Sequence, residues 1–333
     1  KLVDRLRNDG LAIAKKFSWD NTGNLFDKLL ENSKPIEPKV IPTKESPISI
    51  KDLIKDINPE TAGDNVLIID AGGLADTIML SGIITGLKEA GAPNIYVATG
   101  DSTRKSIIEK HPGVKGAVVI DVPLKSDLDA RLFGLVIDTS NLPRNWENGG
   151  KGPHKLDVLA RTIGVKLSKA MLPVDEFDIS TIGLNPDEPI ITIETIQVDR
   201  NMRWQHWEAF VRMIYPNIQI VQVGEPHGPS LDFMWKDKRV FDARVYNIEK
   251  QAGIMKHAKI HVGINGPMMH YASYLDKPQV ILWMQGGPGQ YGPLYVKDDH
   301  FDMSKIIAIM NNKDKSPHDI VSAAEVIGNL KLS

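Results

Sequence analysis

Short apolar runs alternating with amphipathic stretches recur in two series along this chain, and that alternation leaves few folds open. The first series offers strands at Val66–Asp70, Ile95–Ala98, Ala117–Asp121 and Leu135–Asp138, with helices at Asp76–Ala90, Ser102–Lys110 and His154–Ile163. Strands that are apolar throughout, rather than at every second residue, are buried on both faces; helices between them make the crossovers of a parallel sheet. The pattern breaks from Leu172 to Pro189, where Pro173, Pro186 and Pro189 stand among acidic residues. A second series follows, with strands at Ile190–Ile193, Ile218–Val223, Val240–Asp242, Ile260–Val262 and Val280–Trp283, and helices at Gln205–Ile214, Asn247–His257 and Met268–Tyr274. The expected fold class is α/β: two Rossmann-like, doubly wound domains with a cleft between them.

Outside the two series the chain reads differently. Residues 1–49 form a helical tail and a linker carrying Pro35, Pro38, Pro42 and Pro47. The first domain is expected over 50–180 and the second over 181–315. Ser316-Pro317, a cap followed by proline at the first helical position, opens a last helix within 316–333 that is expected to cross back onto the first domain. The net charge of −2, without a long basic run, gives no argument for nucleic acid. Cysteine is absent, which excludes disulfides and thiolate metal sites. No apolar run approaches the roughly 20 residues that span a bilayer.

The stretch with the most chemistry is His261–Pro293. A strand ends in Gly263-Ile264-Asn265-Gly266-Pro267, and a helix follows. Asn265 is read as the N-cap and Pro267 as part of the first turn. The amides of Gly266, Met268 and Met269 would then face the space beyond the strand, ready for a phosphate. His270, one turn later, is read as a core or capping residue rather than a catalytic one. In Ala71–Thr77, Gly72 and Gly73 let backbone approach a ligand, and Asp76 starts a helix at the carboxyl end of a strand. Asp76 is either a general base for a hydroxyl or a carboxylate satisfying the helix dipole.

Arg200 and Arg203, beside a helix start, are either phosphate clamps or solvated arginines. Glu225, after another strand, either accepts from ribose hydroxyls or belongs to a turn. His154 follows a glycine-rich run and is a candidate to face the cleft. Asp127 and Asp129 read as a solvated loop, and no His/Asp/Glu cluster has metal-ligand spacing, so no metal is expected. The Ala71–Thr77 turn is not a G-x-G-x-x-G motif, which weakens a dinucleotide reading, and no G-x-S-x-G or Walker motif occurs.

Taken in order, these motifs resemble those of glycosyltransferase family 9, the ADP-heptose:lipopolysaccharide heptosyltransferase-like enzymes of the GT-B fold. Gly73–Leu80 is similar to the family's Leu-Gly-Asp segment, Phe133–Asp138 to a strand ending in Asp, and His154–Val165 to its His-start helix. Arg203-Trp204 falls at its Lys-x-Trp, Gly263–Ala272 at its Asp-x-Gly-x-x-His, and Gly292-Pro293 at its Tyr-Gly-Pro. The resemblance implies an inverting, metal-independent transferase with a nucleotide-diphosphate-sugar donor, ADP-sugar first, and no cofactor. The acceptor would be a hydroxyl of a glycan or lipid-linked saccharide.

It also implies Asp76 as base. Arg203, Glu225, Asn265, Gly266, Pro267, Met268, Met269 and His270 would lie on the donor side, and Gly72, Gly73, Thr77 and His154 on the acceptor side. The expected location is the cytoplasm or the periphery of the inner membrane. Ala75, Arg203 and Asn265 depart from the family's Gly, Lys and Asp. Residues 1–32, with Phe17-Ser18-Trp19, resemble the closing segment of a family 4-type glycosyltransferase, which implies a tandem enzyme whose first module precedes this chain. The alternatives are an inactive glycan-binding or structural module and a GT-B sugar-nucleotide epimerase.

Overall fold

The structure is a computed structural model that describes residues 63–120, 132–141, 154–195, 204, 206–215, 218–226, 231, 239–283, 292–293 and 306–310. The expected tail and linker, the expected last helix, Arg200, Arg203 and the Asp127/Asp129 pair lie outside the described residues.

Among the described residues two parallel sheets form, one from each series. The first has four strands, β1 (Asn65–Asp70), β2 (Asn94–Thr99), β3 (Val114–Val119) and β4 (Leu135–Asp138), in the order β3-β2-β1-β4. The second has six, β5 (Ile190–Glu194), β6 (Gln219–Val223), β7 (Val240–Asp242), β8 (Ile260–Ile264), β9 (Gln279–Trp283) and β10 (Ile306–Met310), in the order β10-β9-β8-β5-β6-β7. Every described pairing is parallel. The central strands β1 and β5 are buried along their whole length, as their unbroken apolar runs require.

The strand orders place the crevices. The chain leaves β1 for β2 and β3 on one side, then returns to add β4 on the other. It leaves β5 for β6 and β7, then returns to add β8. Ligands of open parallel sheets bind at such reversals, beyond the carboxyl ends of the strands. Here those ends carry Asp70 on β1 and Glu194 on β5.

Among the described residues three helices accompany the first sheet: α1 (Leu74–Glu89), α2 (Ser102–Glu109) and α3 (Lys155–Ile163). Three accompany the second: α4 (Trp207–Ile214), α5 (Ile248–Met255) and α6 (Pro267–Tyr274). Helix α1 is buried nearly all round, because it has apolar partners on two sides. Met79, Leu80, Ile83 and Ile84 pack into the first sheet with Val66, Ile68 and Val97. Leu74 and Ile78 instead join Met268, Tyr271 and Ala272 of α6. Each fully buried isoleucine contributes about 1.5–3 kcal/mol, so α1 binds the two halves together. Helix α4 is anchored by Trp204, Trp207 and Phe210, with the two indoles edge to face at 4.7 Å. No described helix is long and apolar enough to cross a membrane.

The structure differs from the sequence reading at element ends. Strand β8 runs on through Ile264, two residues past the expected Val262, since Ile264 is itself apolar and buried. Helix α4 begins at Trp207 rather than Gln205. Strand β3 begins at Val114 rather than Ala117. Strand β10 was not expected.

Candidate functional site

At the carboxyl end of β1 the chain turns through Ala71-Gly72-Gly73 into α1. Asp70 is fully buried under this turn; it accepts the Gly72 amide at 3.2 Å and the Thr77 hydroxyl. Burial raises its pKa, against the pull of the Thr77 hydrogen bond and Arg104. Arg104, on α2, donates to the Gly72 carbonyl and lies 3.9 Å from Asp70. Thr77 therefore spends its hydroxyl inside the protein, on Asp70 and on the Gly73 carbonyl.

Asp76 holds two posts. One carboxylate oxygen accepts the Gly73 amide at 2.8 Å, which caps the first turn of α1. The other forms an ion pair with Lys155 at the start of α3. A side chain at position 72 would collide with Asp76, so Gly72 is required there. The Asp76 side chain stays 35% exposed and that of Lys155 14% exposed, so both reach the crevice. Asp76 thus caps the helix, as one of its two sequence readings had it, and its side chain remains part-exposed.

Burial lowers the Lys155 pKa to about 8, with Asp70 acting against the shift. His154, just before it, caps α3: its Nδ1 accepts the Leu156 amide at 3.2 Å. The proton then sits on Nε2, which lies 3.1 Å from the Gly292 carbonyl as donor. Burial lowers the His154 pKa. His270, on α6, is buried from the opposite side. Burial first, then the charges of Lys155 and His154, lower its pKa to about 3, so it is a neutral imidazole. Among the described residues its Nδ1 has no hydrogen-bond partner. Lys155 therefore stands between the acids of the first half and a histidine of the second.

The second crevice departs from the sequence reading. Because β8 extends to Ile264, the N-cap of α6 is Gly266 rather than Asn265, and Pro267 takes the first helical position. The Gly266 amide bonds back to the Ile264 carbonyl at 2.7 Å. The Met268 amide donates to Glu194 at 3.2 Å, and the Met269 amide acts on the same carboxylate to hold its pKa down. Two of the three amides expected to await a phosphate, those of Gly266 and Met268, are thus engaged within the chain.

Glu194 is fully buried at the end of β5. Three glycines crowd its side chain. A Cβ at Gly266 would lie 2.7 Å from its carboxyl atoms, and Cβ atoms at Gly263 and Gly224 would lie 3.2 Å from its chain. Gly224 has φ +106, a left-handed conformation suited to glycine. Burial raises the Glu194 pKa well above the usual carboxylate value, the two amides oppose the shift, and Glu225 adds to it. Glu225 itself is half-buried, one residue past Gly224.

The structure brings Asp76, His154 and His270 together around Lys155, and Glu225, Gly266, Met268 and Met269 around Glu194. Lys155 and Glu194 were not singled out in the sequence. Asp70 and Glu194 share one signal, an acid closing an apolar strand. Among the described residues no group of three or more His, Asp or Glu could hold a metal ion.

No protein-family model matches the chain, and neither does any curated protein. Solved structures do. The family 9 glycosyl transferase from Veillonella parvula DSM 2008 is 15% identical with a TM-score of 0.55, over 79% of this chain and 93% of that one. The E. coli ADP-heptose lps heptosyltransferase II is 14% identical with a TM-score of 0.55, over 79% and 96%. The E. coli heptosyltransferase WaaC with ADP is 12% identical with a TM-score of 0.51, over 79% and 97%. The two-sheet α/β fold is shared with these GT-B structures.

Proposed function

We propose that this chain is a glycosyltransferase that moves a heptose-like sugar from a nucleotide-diphosphate donor, ADP-sugar first, to a hydroxyl of a glycan or lipid-linked saccharide. The observation that carries the reading is Asp76, a part-exposed carboxylate at the reversal point of the first sheet, ion-paired to Lys155 and borne by the helix that packs on α6. The shared fold supports it.

In this reading the acceptor lies over Gly72-Gly73 and the donor over the start of α6. Asp76 takes the proton as the acceptor oxygen bonds to the anomeric carbon. The bond from that carbon to the phosphate oxygen breaks, and its electron pair leaves with the diphosphate. Attack from the first half on a donor held by the second inverts the anomeric centre. Lys155 holds Asp76 in place and sets a positive charge where negative charge moves through the crevice. His270, neutral, offers a ring nitrogen without adding charge. The reaction is written without a metal, and a chelator such as EDTA is expected to leave turnover unchanged.

The test is nucleotide release from ADP-sugars with and without saccharide acceptors. Asp76→Asn should lower turnover by about 10²–10⁴-fold, the range for a general base, with ADP affinity little changed. Equal turnover in the variant would remove Asp76 from the chemistry. No release from any nucleotide sugar would favour the second reading, a binding module without transfer. One observation supports that alternative: Glu194 occupies the amides that a phosphate would use.

A further inference from the structure

We propose that Glu194 is a specificity-determining residue that competes with the donor's diphosphate for the amides at the start of α6, so that an anionic nucleotide is held firmly only when Glu194 is neutral or displaced. This rests on the donor reading above. A helix N-terminus is ordinarily capped by a residue just before it. Here the partner comes from β5, and it lies at the reversal point of the second sheet, where ligands of such sheets bind.

The hollow it fills is built from three strand ends. Gly224 follows β6, Gly263 lies in β8 and Gly266 caps α6, and each faces the Glu194 side chain. Without side chains at these positions, withdrawal of Glu194 leaves a space there and frees the Met268 amide at its edge. A second buried group sits beside it. His261 of β8 has its Nε2 2.7 Å from the Cβ position of Gly263, and among the described residues that nitrogen has no hydrogen-bond partner. Its Nδ1 lies 3.1 Å from the Thr192 hydroxyl.

Among the described residues the charged and titratable groups around Glu194 do not neutralise it. From β6 comes Glu225, of like charge. From β8 comes His261, kept neutral because burial lowers its pKa to about 3. From α6 come only the amides of Met268 and Met269. Among the described residues no cation pairs with Glu194. An incoming diphosphate would meet this carboxylate at the same donors, and two anions cannot share them cheaply. A neutral Glu194 removes that conflict, and its hydroxyl can then donate to a phosphate oxygen.

The experiment is calorimetric titration with ADP at about pH 7.5 and pH 5.5, on the wild type, Glu194→Gln and Glu194→Ala. Gln keeps the size and loses the charge, and Ala opens the hollow should Gln disturb the fold. At pH 7.5 the neutral variants should bind ADP at least about tenfold more tightly than the wild type. At pH 5.5 the gap should narrow; ADP's own titration affects all three proteins alike, so the ratio isolates Glu194. Equal affinities at both pH values, or weaker binding in both variants, would overturn the proposal while leaving the donor reading intact. If none of the three folded proteins binds ADP at either pH, the donor reading itself fails and takes this proposal with it.

Discussion

Lys155 makes its case through its neighbours. Its ammonium pairs with Asp76, and burial brings its pKa to about 8. If turnover needs the ammonium, activity should fall about tenfold per unit as pH rises above 8, the behaviour of a single required ionisation. Lys155→Arg keeps its charge at high pH, so the alkaline limb should move up even if the maximal rate drops. A limb unchanged in the arginine variant would show that another group sets it. Glu194 allows a test of stability. Its raised pKa means that the native state holds this proton more tightly than the unfolded chain, which releases it above about 4.5. Native stability is therefore lost as pH rises beyond that value. Glu194→Gln, which has no proton to lose, should be the more stable protein at pH 7.5, with the advantage shrinking toward pH 4.5 in urea unfolding. Asp76 and His154 were legible because each follows glycines at an element boundary. Lys155 was not, since a lysine in the first turn of a helix reads as solvated. Glu194 was hidden for a different reason: its surroundings come from residues 224, 263 and 266, which only the β6-β5-β8 order assembles.

At the scale of elements, the start of α6 shows how two residues of strand change a site. The alternation of apolar runs and amphipathic stretches was enough to find both central strands and all six described helices. It did not find where β8 stops. Ile264 continues the apolar run, so the cap falls on Gly266 and the amides point at β5 instead of at open crevice. Strand β10 was missed because a run such as Ile306–Met310, with no crossover helix marked before it, suits helix and strand equally. The tight approach of Gly266 to Glu194 can be tested by itself. Gly266→Ala places a methyl group 2.7 Å from the carboxyl atoms and should cost about 1–3 kcal/mol, the usual range for overpacking. In a Glu194→Ala background the same change should cost less than half as much, because the clashing group is gone. Additive costs in a double-mutant cycle would place the strain elsewhere.

Across the whole molecule, the two sheets are held together by contacts on both apolar and charged faces. Leu74, Ile78 and Ile107 pack with Tyr271 and Met268, and Lys110 and Ser106 reach Glu249 at 2.9 and 3.1 Å. The buried histidines set the acid limit of this assembly. Burial lowers His111 to about 4 and both His261 and His270 to about 3. Their native pKa values lie below the unfolded 6.5, so the unfolded chain takes up protons first as pH falls. Stability present above pH 6.5 is thus lost on acidification, by about 2 kcal/mol per histidine at pH 5. Urea unfolding at pH 7 and pH 5 checks this; an unchanged midpoint would mean that these rings protonate freely in the native state. The strand orders carry one more consequence, for the order in which the molecule can assemble. β1 meets β2 soon after it is made, but its other neighbour is β4, with Val66 opposite Leu135. β5 likewise waits for β8, with Ile191 opposite Ile260. Pairings between such distant segments close slowly. During synthesis each central strand therefore spends an interval with one apolar, hydrogen-bonding edge bare, the period in which a growing chain is most exposed to pairing with a neighbour of its own kind.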